Sequence, residues 1–410
     1  MSLQKKSIFS ILGPGLLFAG AAIGVSHLVQ ATRAGAEYGY GLIWALLLVH
    51  FFKYPFFRFG PKYAAATGES LLDGYKKLGN GYLTIYFIVN IATMFTIQAA
   101  VTIVTASLAA QLFPFTDNLI YAATIILLVS FLILTIGKYR LLDRLMKFIV
   151  IFLTISTLLA VSIALSKNNT SLSFQQVLPS NAVGISFLIA FLGWMPAPLD
   201  ISIWHSLWSV EKNKDLKEKI SVSKSIFDFN IGYFGTMLLG ICFLLLGATV
   251  MFSSQEKFAS SGAQFAIQLI QLYTDNLGGF TKPIIALAAF TTMFSTTITT
   301  LDASPRAMEK ASSLLFNKQN LHYWFWSLFL VIGTLIILFF LLNSMLALVK
   351  IATIFSFLTA PIFAFLNYKL LTSKHTPQEF QPSNFMRFLS ILGILFLICF
   401  SLWYLKITLL

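Results

Sequence analysis

The residues with the most chemistry in this chain stand in the run Met195-Pro196-Ala197-Pro198-Leu199-Asp200. Pro196 and Pro198 each remove a backbone donor and clash with the preceding turn, so an otherwise apolar helix has to break there. Asp200 follows at once. A carboxylate at the bilayer midplane costs about 2.5–3.5 kcal/mol on insertion scales, so it is retained where it is paired or functional. Two roles fit it: holding a cation or a coupling proton, and complementing the amide end of the half-helix it opens. Five residues on stands His205, on a different face of that half-helix, where it supports the site rather than sharing it.

A second interruption lies at Gly20-Ala21-Ala22-Ile23-Gly24-Val25-Ser26-His27. Small residues weaken the helix, and His27 offers either a neutral imidazole ligand or a proton carrier. Its plainer role is to bond the unwound carbonyls. His50 and Lys53 sit inside another apolar run beside Tyr54-Pro55. A buried ammonium needs an acid or a cluster of carbonyls; otherwise its stem snorkels to water. Asp200 is the mid-span acid available to it, and pairing would leave the site neutral. Thr291, Thr292, Ser295 and Thr296 present hydroxyls at helical spacing and read as helix-packing contacts.

These residues have to be positioned by membrane helices. Of 410 residues, 57% are hydrophobic and 10% charged, against about 25% charged in soluble domains. With about 20 apolar residues per crossing, eleven spans are expected: 9–33, 41–64, 81–112, 119–137, 145–166, 183–208, 226–252, 277–301, 322–342, 344–370 and 385–407. The interruptions fall in spans 1 and 6. Five is an odd separation, so the second half enters from the opposite side. Paired interruptions of this kind point to a transporter site between inverted repeats, here 9–166 and 183–370, with 385–407 an added helix. The chain is thus expected to be a single transmembrane domain.

The net charge of +13 is topological. Of 28 Lys and Arg, 21 fall on one side of this arrangement and 5 on the other, with Lys53 and Lys350 inside spans. The bias places the N-terminus in the cytoplasm and the C-terminus outside, and it removes the case for nucleic acid. Cys242 and Cys399 lie in apolar segments and read as core residues. No nucleotide loop, hydrolytic triad or zinc-spaced cluster occurs, so the chain is not read as an enzyme and no cofactor is expected. Asp302 is expected to end span 8 and pair with Arg306.

Gly13-Pro14, Ala34-Gly35-Ala36-Glu37-Tyr38-Gly39-Tyr40, Leu42, Trp44, Lys62 and Ala66-Thr67-Gly68 together resemble the NRAMP family of proton-coupled divalent-metal transporters. Met195-Pro196, His205-Ser206 and the segment 290–300 extend the resemblance. It implies an all-α LeuT-like fold, alternating access and a midplane cation site between helices 1 and 6. The departures are specific. The helix 1 motif Asp-Pro-Gly-Asn reads Gly24-Val25-Ser26-His27, so Gly24 replaces the metal-binding Asp and His27 its Asn partner. Aligned on His205-Ser206, Pro198 takes the place of the metal-binding Met and Asp200 that of the first His. Thr353 matches a helix 10 position that is often a Gln ligand. The family's helix 3 acids are missing from 81–112.

The resemblance makes a divalent cation the expected cargo, bound by Asp200 and His27, with Gly24, Pro198 and Thr353 completing the site and Lys53, His50 and His205 around it. Without a soft Met sulfur, a hard and partly hydrated ion such as magnesium suits the remaining oxygens. The same-fold alternative is a small anion or zwitterion held by His27, Lys53 and the half-helix amides. A non-transporting relative is the third. A bacterial inner membrane, with coupled protons, is the expected setting.

Overall fold

A computed structural model describes residues 13–409 apart from 114, 115, 117, 168–172, 217–219, 253–258, 260–261, 280–281, 317–321 and 342–344. Lys5, Lys6, Lys217, Lys219, Lys257 and Lys318, which entered the orientation argument, lie outside the described residues.

Among the described residues, seven helices are each long and apolar enough to cross a bilayer, and the bent pair Pro14–Ala22 and Ser26–Tyr38 makes an eighth. In chain order helix 1 is that pair, as 1a and 1b, bent by 46°. Helix 2 is Ile43–Thr67, followed by a short linker helix, Leu71–Leu78, and helix 3, Asn80–Leu112. Helices 4 (Leu119–Thr135) and 5 (Phe148–Ser166) are the apolar ends of one continuous run, Leu119–Lys167. Sequence reading separates them at 138–144; the helical hydrogen bonding does not stop there. Helix 6 is 6a, Ala182–Trp194, and 6b, Ile201–Leu216. Helix 7 is Val222–Phe252, and helix 8 is Lys282–Phe316. Helices 9 (Tyr323–Leu341), 10 (Met345–Leu371) and 11 (Asn384–Leu409) complete the chain.

Helix 8 therefore runs well past Asp302, contrary to the expected stop. Asp302 is a mid-helix residue that accepts from Arg306 at 2.7 and 3.2 Å and from the Tyr323 hydroxyl at 3.1 Å. The expected pairing holds and the expected helix end does not, because Pro305 is accommodated within the helix.

Helix 1 packs closely on helix 7. A Cβ at Gly15 or Gly232 would strike the other's helix backbone, and so would one at Gly35 or Gly247. Small residues at such crossings let the helices approach, which is the main source of packing between helices in lipid. The N-terminus of 1a is closed by a buried acid that span counting does not single out. Asp228, on helix 7, accepts from the amides of Gly13 at 3.1 Å and Gly15 at 2.7 Å. On 6b, the Ser206 hydroxyl accepts from the Leu71 amide at 3.0 Å and ties that half-helix to the linker helix. Asn367, on helix 10, bonds Ser202 of 6b at 2.9 Å and the Phe56 carbonyl of helix 2 at 3.2 Å. The half-helices are thus held from several sides.

Candidate functional site

Both expected breaks are present. Helix 1 unwinds at Ile23 and Gly24 and continues through Ser26–Ala31 as a π-helical turn, a widening often found at functional sites. Helix 6 is non-helical from Met195 to Asp200, with a cis peptide at Met195-Pro196.

The helix 6 break is closed by Lys53. Its Nζ donates to the carbonyls of Leu192 and Gly193 at 2.8 Å each, Met195 at 3.1 Å and Ala197 at 3.4 Å. The side chain is fully buried, so snorkelling is ruled out. The cause lies in helix geometry. The last carbonyls of a helix have no partner within it, and the C-terminal end carries a partial negative charge that favours a cation. Two prolines make this shortage worse by interrupting the chain that would otherwise continue the ladder. Helix 2 supplies the missing donor and the missing charge in one group.

The other expected site residues disperse. His27 is fully buried and turned towards helix 7: Nε2 lies 2.9 Å from the Thr236 carbonyl, and Nδ1 lies 2.7 Å from Ser26 Oγ and 3.1 Å from the Ala22 carbonyl. Both ring nitrogens are occupied within the protein, which argues against a metal-ligand role. Asp200 is buried with Oδ1 unpartnered. It is within electrostatic reach of Lys53 and of Tyr86 on helix 3. Among the described residues no ion pair joins it to Lys53, whose hydrogens go to carbonyls. Thr353 spends its hydroxyl on Val349 and Lys350 of its own helix, while its carbonyl packs against Gly193. His205 stacks on Phe18 at 5.8 Å and leans on Phe229, with neither nitrogen partnered. His50 bonds the Leu46 carbonyl at 2.7 Å and lines an outward apolar groove of about 490 Å³ between helices 2, 7 and 11. Among the described residues, no three His, Cys, Asp or Glu side chains converge where a metal could sit.

Gly24 packs against Thr296 of helix 8, and Thr296 and Pro198 both line a small cavity. A Cβ at Gly24 would meet Thr296 Oγ1 at 2.7 Å. Thr296 reaches the break carbonyls of Gly20 at 3.2 Å and Ile23 at 3.4 Å, so one of the packing hydroxyls of helix 8 closes the helix 1 break. Beside it is a cavity of about 20 Å³ between helices 1, 3, 6 and 8, with Pro198, Trp194, Trp204, Ser26, Thr296 and Thr300 in its wall. That is room for about one water-sized group. Neither Asp200 nor His27 lines it. Towards the far end of 6b lies a larger pocket, of about 410 Å³, bordered by Asp73, Glu211, Arg306 and Lys310.

The sequence pattern described as natural resistance-associated macrophage protein-like (Nramp) matches residues 15–406. The chain belongs to the Nramp family. It is a secondary transporter by that membership, not an enzyme, and an integral membrane protein. An uncharacterised protein of Pasteurella multocida is 37% identical over 403 residues, covering 97% of this chain and 92% of that protein. A crystal structure of an Eremococcus coleocola manganese transporter mutant matches with a TM-score of 0.76 at 15% identity, over 98% of this chain and 87% of that one. MhsT in complex with L-phenylalanine matches with a TM-score of 0.63 at 12% identity, over 98% and 100%. The fold of this Nramp chain is therefore the LeuT-like one, shared by a metal transporter and a protein holding an amino acid.

Proposed function

We propose that this Nramp-family chain moves a small organic solute by alternating access about the breaks in helices 1 and 6, and that its helix 6 break carries a built-in cation. The observation that carries the reading is the Lys53 ammonium held by four break carbonyls. A divalent ion about 4 Å from that ammonium would meet a repulsion of about 8 kcal/mol at an effective dielectric constant of 20. Asp200 offsets that term by attraction, which leaves a neutral surrounding and no net gain for a metal. Four carbonyls of the helix 6 break already accept from Lys53. Asp200, buried with one bare oxygen, is the group best suited to carry a coupling proton; helix 3 has no acid to share that work.

A metal cation is the second reading. Family membership and the manganese transporters among the structural neighbours favour it, and the unpartnered Asp200 oxygen is a ligand in waiting. The test is uptake of Mn²⁺ and Mg²⁺ by purified protein in vesicles. No saturable uptake of either is expected. Saturable uptake that Asp200→Asn abolishes would overturn the solute reading and install the metal one. The repeat limits, the cytoplasmic N-terminus and the bacterial inner membrane belong to the same proposal; labelling of single cysteines at Lys76 and Lys406 from either side checks the orientation.

A further inference from the structure

Five polar side chains line the cavity between helices 1, 3, 6 and 8: Ser26, Trp194, Trp204, Thr296 and Thr300. Four have donated their hydrogen within the protein. Ser26 donates to the Ala22 carbonyl at 2.5 Å, and Trp194 Nε1 to Ser356 Oγ at 2.7 Å. Thr296 serves the helix 1 break, and Thr300 donates to Gln98 Oε1 at 2.7 Å. Trp204 is different: it is 1% exposed, and its Nε1–H has no partner. An indole N–H can only donate, and a buried donor without an acceptor is costly.

We propose that this cavity binds its solute through a carboxylate or carbonyl oxygen, with Trp204 Nε1–H as the donor. The inference rests on the solute reading above and adds the class of group that is recognised. Trp204 lines the cavity and its buried N–H has no partner; such a donor attracts an acceptor and repels a metal ion. No charged side chain lines the space. Ala21, Val25, Ile97, Val101 and Ile201 form its remaining wall; at about 20 Å³ the space takes the acceptor group itself, and a larger solute enters only as the surrounding helices move apart. The Ser26, Thr296 and Thr300 oxygens keep free lone pairs and can accept from a hydroxyl or amine beside the acceptor. A Trp one turn further along helix 6 provides the comparison. Trp208 is also buried and unpartnered, and packs on Trp204 at 6.3 Å between ring centroids. It does not line the cavity, so the same chemical change there tests burial without binding.

The experiment is calorimetric titration of the detergent-purified full chain with sodium acetate and with acetamide, which match in shape and differ in charge. Manganese chloride and tetramethylammonium chloride serve as cations without an acceptor. Binding of acetate, of acetamide or of both is expected; which of them binds separates a carboxylate from a neutral carbonyl. Trp204→Phe should weaken that binding about tenfold or more, the scale of one hydrogen bond to a charged acceptor, while Trp208→Phe leaves it unchanged. Unchanged affinity in folded Trp204→Phe overturns the donor assignment and leaves the transporter reading standing. Heat from manganese alone overturns both. Failure of both acceptor probes overturns the proposal. If Trp204→Phe does not fold, Val101→Phe, which fills the cavity from helix 3, carries the test: acetate binding should vanish, and native affinity overturns the assignment.

Discussion

The first half-helices, 1a and 6a, are each anchored by one charge from another helix, but at opposite ends. Helix 1a is held at its N-terminus, where the helix 7 carboxylate Asp228 takes the amides of Gly13 and Gly15. Helix 6a is held at its C-terminus, where the helix 2 ammonium Lys53 takes four carbonyls. Each charge complements the end of the dipole it faces. The broken ends inside the membrane then differ. At 1a the carbonyls receive neutral hydroxyls, from Thr296 and Ser26, with the His27 ring beside them. At 6a they receive a full charge. The same shortage of backbone donors is met by neutral groups in one break and by an ion in the other, and only the second already holds a positive charge.

The largest expected effect is therefore at Lys53. Lys53→Met keeps the length of the stem and removes the charge and three donors. Several buried carbonyls lose their partner together, at about 1–3 kcal/mol for each group left bare. A loss of about 3–5 kcal/mol, the scale of breaking a buried charge pair, should show as a large drop in thermal unfolding temperature in detergent. Native-like unfolding of Lys53→Met would mean that the helix 6 break does not depend on the ion, and the contrast with helix 1 would disappear.

The sequence makes the existence of these breaks legible and leaves their partners obscure. Pro196, Pro198 and the Gly20–Gly24 run announce lost donors locally, because proline and glycine act on their own backbone. The expected crossings are read from hydropathy for the same reason, and among the described residues seven helices and one bent pair are long and apolar enough to make them. What closes a break is a question of contact between distant helices. Lys53 stands about 140 positions before the carbonyls it serves, and no local pattern says whether such a lysine meets an acid, a carbonyl cluster or water. Carbonyl clusters are invisible in composition because every residue has one. Asp228 is hard to read from sequence because it sits at the start of an apolar run, where an acid looks like a boundary residue. The expectation of His27 as a metal ligand meets a related obstacle: one ring nitrogen faces the Thr236 carbonyl and the other Ser26 and the Ala22 carbonyl.

Asp228→Asn tests the other charged anchor with a smaller expected cost. The amide side chain can still accept from one of the two helix 1 amides, so the loss is one hydrogen bond and the charge–dipole term. Helix capping contributes about 0.5–2 kcal/mol, and a charge at a helix terminus about 0.3–1 kcal/mol when exposed and up to about 2 when partly buried. A decrease of about 1–2 kcal/mol in unfolding free energy is expected, clearly less than for Lys53→Met. An equal or larger loss would reverse the order and make the outer end of helix 1a, rather than the middle of helix 6, the tightest anchor of the pair.

The smallest effect separates the two kinds of closure most directly. Thr296→Val keeps the shape of the side chain and removes the hydroxyl that lies 3.2 Å from the Gly20 carbonyl, 3.4 Å from Ile23 and 3.2 Å from Thr292. One hydrogen cannot serve three acceptors fully, and Thr292 belongs to the same helix, so part of this contact is local back-bonding that a helix surrenders cheaply. The expected cost is about 1 kcal/mol, read by the same unfolding measurement. Val also brings a methyl to the face where Gly24 leaves no room for a Cβ, so a larger loss could arise from crowding. Thr296→Ser resolves that case: it restores the hydroxyl without the methyl. Recovery of stability with Ser assigns the role to the hydroxyl. A Ser variant as weak as Val would mean that helix 1 is closed by packing against Gly24 rather than by hydrogen bonds, and that the neutral break differs from the charged one in the kind of force that holds it.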